Sequence, residues 1–157
     1  AKVAGISIGS LYQYFPNKDA LILALSDAHI QEMAALLQQT AFLASTQDAP
    51  TLVRSFVRSM IQAHAMDPRL HQALTQQLLH LGLERFSAQQ KLARQLVGGW
   101  LAAQQEVLKV RDLDIAAFLL VSTVESAVHV ALMEDPDLLK KPSFEEELTG
   151  MVLRYLF

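Results

Sequence analysis

The chain has 157 residues, enough to bury roughly 70% of its unfolded surface without a staple. With 52% apolar and 18% charged residues it is not a disordered chain, and a formal net charge of −3 implies no general polyanion-binding surface. Cysteine is absent, which excludes structural disulfides, thiolate zinc sites, iron–sulfur clusters and a cysteine nucleophile.

Six glycines and five prolines point to few, long elements. Ser7 caps a short helix that ends before Pro16. Asn17 caps a long one to about Ala44, with Leu21, Leu25, Ala28, Met33 and Leu36 at steps of three to five. Residues 45–50 form a linker. Thr51 to Met66 follows, with Leu52, Phe56, Met60 and Ala63 on one stripe. Asp67-Pro68 reads as cap and first-turn proline of a helix to Leu81, with Gly82 as its stop. Glu84 to Lys109 reads as another long helix. Its Gly98-Gly99 pair, at about 1 kcal/mol per glycine against alanine, suggests a bend, a close helix contact or a ligand-facing gap.

Asp112 or Asp114 caps an apolar helix to about Met133, residues 135–142 form a loop, and Ser143 to Glu146 reads as a capping box. The last helix carries Phe144, Leu148, Met151/Val152 and Tyr155 on one face. No segment alternates at period two, so the expected class is all-α with about eight helices. The stretch from Ile115 to Leu132 is about as long as a membrane span. It contains Ser122, Thr123, Glu125, Ser126 and His129, and its flanks are acidic rather than basic, so a buried helix of a soluble protein is the better reading.

No phosphate loop, nucleophile elbow or HExxH motif is present, and no catalytic residue is assigned. His64, His71 and His80 could share a pocket, and Glu125 precedes His129 by one helical turn. The Glu-x-x-His step of diiron bundles is missing, so these groups read as hydrogen-bonded pairs or solvated faces; no metal and no cofactor are expected.

The most informative run is Val3 to Leu21. A helix stops at Gly5, the chain turns, and a second helix restarts at the Ser7 cap, which is the connection of a helix-turn-helix. Gly9 and Ser10 leave room for close approach to a groove. Tyr12, Gln13 and Tyr14 either meet base edges and phosphates or pack half-buried. Lys18 opens the next helix, where ammonium and helix N-terminus both favour a phosphate, or it is simply solvated.

This run resembles the DNA-binding segment of the TetR family of one-component transcriptional regulators. Gly5, Ser7, Gly9, Leu11, Tyr12, Tyr14, Phe15, Lys18 and Leu21 match the family pattern without a mismatch over about twenty residues. The resemblance implies a recognition face of Ile8, Gly9, Ser10, Tyr12, Gln13 and Tyr14, with Lys18 as a phosphate contact. It also implies a first helix and most of a second, usually basic, ahead of residue 1. Residues 1–45 would be the remainder of the helix-turn-helix domain and its connecting helix, and 46–157 a ligand-binding and dimerisation domain.

In such a regulator the middle helices enclose an effector pocket and the last two long helices pair across a dimer. The residues on those middle helices are Met60, His64, Met66, His71, Leu78, Phe86, Leu96, Trp100 and Gln104. Their mix suits an apolar or aromatic effector, although each also suits a core. Five polar residues among the 18 from Ile115 to Leu132 mean a helix needing cover on all sides, from its own core or from a partner subunit. The expected interface is Phe118, Leu119, Ser122, Glu125, Val128, His129, Leu148, Val152 and Tyr155. The expectation is a cytoplasmic homodimeric repressor, away from any membrane, that leaves a palindromic double-stranded DNA operator when a small-molecule effector binds. A helical small-molecule binding protein without DNA function, and a bundle enzyme using the histidines, are the rival readings.

Overall fold

The computed structural model describes residues 5, 7–42, 48–81 and 83–157, with side chains for all of these except 33, 36, 37, 40–42, 78–81 and 83–89. Among the described residues there are seven α-helices and no strand. They are α1 (Ile8–Tyr14), α2 (Lys18–Phe42), α3 (Ala49–Ala65), α4 (Pro68–Leu81), α5 (Leu83–Ala103), α6 (Leu113–Glu134) and α7 (Pro142–Leu156). Two 3-10 turns, Gln105–Val107 and Pro136–Lys140, join the last three.

Side-chain caps start most of these helices, each satisfying a backbone N–H that has no partner within its helix. Ser7 accepts from the N–H of Ser10, Asn17 from Ala20, Asp48 from Thr51, Asp67 from Leu70 and Asp112 from Ile115, at 2.7–3.0 Å. Two starts differ from the sequence reading. Asp48, not residue 50 or 51, opens α3, because Pro50 sits in the first turn, where its missing N–H costs nothing. Helix α7 begins at Pro142 with Lys141 as its cap and no side-chain cap bond, so the Ser143 capping box does not form. The expected helix to Lys109 ends at Ala103. Beyond it the Lys109 N–H donates to the carbonyl of Leu156 at 2.8 Å, which pins this connection to the end of α7.

The core lies among α3, α6 and α7, with Leu101 of α5. Val57, Leu101, Ala116, Val128, Leu132 and Leu156 are all fully buried in it. Helix α5 lies along α6 and runs unbroken through Gly98-Gly99; Gly98 faces Ala117 of α6, where an added Cβ would stand at an ordinary 3.9 Å. The buried line of α2 is Ile22, Ser26 and His29, not Leu21, Leu25 and Ala28. Polar and apolar residues are mixed round α2, so its sequence offers no unique face to read, and packing on α3 and α4 chooses it. The side chains of Met33 and Leu36, and the Gly82 stop, lie outside what is described.

Candidate nucleic-acid interface and buried histidine cluster

Helix α1 carries no buried residue. Leu11 and Phe15 are half-buried and seat it, while Ile8, Gly9, Ser10, Tyr12, Gln13 and Tyr14 are all exposed. Tyr14 is 81% exposed and Tyr12 52%, far more than packing residues would be. Ahead of the helix Gly5 takes φ +66°, the left-handed region glycine enters without strain. Behind it the Phe15 N–H closes on the Leu11 carbonyl, the chain turns at Pro16-Asn17, and Lys18 begins α2 with its side chain in solvent.

Eleven residues further along α2, His29 reaches the interior. There it meets His71 of α4, which in turn packs with His64 of α3 and His129 of α6. His29 Nε2 and His71 Nδ1 are 2.6 Å apart, and His71 Nε2 and His129 Nε2 are 2.9 Å apart. His64 lies 4.5 Å from His71 and 4.6 Å from His129 between ring centroids. His64 Nδ1 donates to the Met60 carbonyl at 2.8 Å, and His129 Nδ1 donates to the Glu125 carbonyl at 3.1 Å. These bonds assign the tautomers. His129 Nε2 then holds a lone pair, His71 Nε2–H donates to it, and His29 Nε2–H donates to His71 Nδ1. His64 Nε2, buried, is left without a partner.

Burial favours the neutral rings, because a charged imidazolium would lose its water. It holds all four pKa values below the ordinary histidine value, with His64 down at about 4. Beside the cluster, Glu125 is bonded by the Gln90 amide, and burial pushes its carboxyl up to about 7. A cavity of about 40 Å³ lies there, lined by Phe56, Met60, Gln90, Leu96, Val121 and Glu125 among others. His64, His71 and His129 could also hold a metal ion, since one ligating nitrogen from each falls within 4.8 Å of the others.

Residues 1–25 match the description "Bacterial regulatory proteins, tetR family", and residues 48–156 match "Tetracyclin repressor-like, C-terminal domain". The chain belongs to the TetR family. Its members are non-enzymatic DNA-binding transcriptional regulators with a helix-turn-helix and a ligand-binding domain. A search among curated proteins finds no match.

The regulatory half brings together part of the expected TetR effector set. Met60 and Leu96 line the cavity, and His64 and His71 belong to the histidine cluster. Met66 is 61% exposed at the end of α3, which takes it away from both. Trp100 packs on the core with its indole Nε1 buried and unpartnered, and Gln104 is half-buried past the end of α5. The side chains of Leu78, Phe86 and His80 lie outside the described residues. Sequence reasoning passed over His29 and gave no pocket role to Phe56, Gln90 or Val121. His29 stands on a helix whose polar and apolar residues are mixed round its axis, so it carries no periodic signal.

The expected dimer residues divide. Phe118, Leu119 and Tyr155 are exposed and Ser122 is half-exposed. Val128, Leu148 and Val152 are buried in the chain's own core and so are withdrawn from any partner surface. Glu125 and His129 turn toward α5 and α4. In their place Ile115, Val130, Met133 and Met151 are each at least 40% exposed. On α6 these continue a stripe of apolar side chains at helical spacing. Along it runs an open groove of about 670 Å³ bordered by Ser122, Ser126, Val130, Leu138 and Phe144. Helix α6 is long and apolar enough to cross a membrane, yet Ala116, Val124, Val128 and Leu132 on its other face belong to the core of this regulatory domain.

Proposed function

We propose that this chain is a cytoplasmic, homodimeric repressor that leaves a palindromic operator when a small apolar or aromatic effector enters the regulatory bundle. The observation that carries the reading is α2. The same helix opens with Lys18 beside the exposed α1 and, about 16 Å along its axis, places His29 in the buried polar cluster. An effector that moves α2 at His29 therefore also moves the base of the recognition helix. Residues 1–45 would then read DNA, with Ile8, Gly9, Ser10, Tyr12, Gln13 and Tyr14 toward the groove and Lys18 on a phosphate. Residues 46–157 would bind effector and pair with a second copy through the exposed stripe of α6 and α7.

In the dimer two copies of α1 would enter successive major grooves about 34 Å apart. Effector and DNA would each weaken the other's binding equally, typically by about 1–3 kcal/mol. Selection of bound DNA from a random pool tests the reading. The expected product is a two-fold palindrome with half-sites one turn apart, released by a member of a library of apolar compounds. A protein that enriches no sequence overturns it and leaves a helical small-molecule binder.

A further inference from the structure

We infer that His64, His71 and His129 form a binding site for one divalent transition-metal ion of the zinc class, with His29 holding His71 in position from α2. Three observations converge on it. The imidazoles come from three different helices, α3, α4 and α6, and their nitrogens already fall within 4.8 Å. His64 and His129 each donate Nδ1–H to the carbonyl four residues back, of Met60 and of Glu125. That leaves a lone pair on each Nε2, unused on His64 and accepting the His71 N–H on His129, in the outer-shell arrangement that orients metal-bound histidine. Finally, His64 Nε2 is buried with no hydrogen-bond partner, an acceptor that the protein's own groups leave unused.

The nitrogens of a tetrahedral zinc site, at about 2.0–2.1 Å from the metal, stand about 3.3 Å apart. His71 Nε2 and His129 Nε2 are now 2.9 Å apart through one shared proton. Metal binding requires His71 to give up the proton on Nε2 and carry it on Nδ1. The His29–His71 bond then reverses, with His71 Nδ1–H donating to a His29 Nε2 lone pair and the His29 proton moving to Nδ1. No proton leaves the pair, since each ring only changes tautomer. The donor set is three neutral nitrogens, which suits zinc, cobalt, nickel or copper(II) rather than calcium or magnesium. Three protein ligands leave a fourth position open for water or for a donor atom on an effector.

Tag-free protein titrated with Co²⁺ and, separately, with Zn²⁺ tests this without any DNA, so its failure is distinct from failure of the operator reading. The expected result is one ion per chain, with the visible absorption of tetrahedral cobalt. His64→Gln and His129→Gln should each weaken Zn²⁺ more than about 100-fold, and His29→Ala about 10–100-fold, as outer-shell partners do. Circular dichroism of each variant separates lost ligands from lost fold, and the unmodified chain decides the matter even if a variant unfolds. No saturable binding by the unmodified protein overturns the site, as does one-to-one binding that survives both His64→Gln and His129→Gln.

Discussion

Tyr12 and Tyr14 protrude from α1, a helix with no buried residue, and Lys18 stands exposed at the start of α2, so their side chains are free to serve a partner. Lys18→Ala should weaken binding to every DNA sequence alike and lower the salt dependence by about one phosphate. Tyr12→Ala should lose operator affinity while changing fold stability by no more than about 0.5 kcal/mol, because the site is exposed. Titrations of labelled operator at several salt concentrations, beside thermal unfolding of the same variants, check both; unchanged affinity in the two would remove α1 from the interface. These residues are legible in a bare sequence because their signature is local: a cap, two glycines and an aromatic pair within about ten positions. The histidine cluster is not local. Its bonds join residues 42 and 58 positions apart, and only the packing of four helices brings those residues together.

The starts of α1, α2, α4 and α6 were legible for the same reason, since a cap and the N–H it serves lie three residues apart. The end of α5 was not, because the bond from Lys109 to Leu156 is formed by distant chain. The two faces of α6 were read as one, since nearly every position is apolar; burial separates them. That separation gives a paired prediction. Leu119, 42% exposed, lies on the open stripe, and Leu119→Glu should dissociate the proposed dimer while leaving the helical fold and its melting temperature nearly intact. Val128 is fully buried one face away, and Val128→Glu should unfold the chain, since an unpaired buried charge costs several kcal/mol. Light scattering and circular dichroism on both variants make the comparison; a monomeric wild type at micromolar concentration would reject the stripe as an interface. A weaker link joins α3 to α7, where Arg58 donates to Glu145 at 2.8 Å with more than half its side chain in water. Arg58→Ala should cost less than about 1 kcal/mol in chemical denaturation, because water competes for such pairs.

At the scale of the whole molecule, one all-helical bundle folds around a polar centre, and its stability should carry that centre's titration. In the metal-free protein the four histidines titrate below their unfolded value, the largest cause being burial. Between pH 6.5 and the folded pKa the unfolded chain binds protons that the native chain refuses, so stability falls as pH falls. For His64, held at about 4, that amounts to about 2 kcal/mol between pH 6.5 and pH 5. His71, also lowered, adds in the same direction. Glu125 opposes them. Its carboxyl is raised to about 7, so the native chain takes a proton there and regains roughly 2 kcal/mol between pH 7 and pH 5. The charges nearest His29, Glu32 and Asp67, favour its protonated form without reversing the shift. Four groups outweigh one, and the melting temperature in the presence of a chelator should drop from pH 7.5 to pH 5. His64→Gln removes one of the four, so the drop should shrink, while Glu125→Gln removes the opposing group and should steepen it. Thermal unfolding followed by circular dichroism across that range checks all three proteins. A wild-type melting temperature that holds level or rises on acidification would mean that the imidazoles are not held neutral inside the bundle.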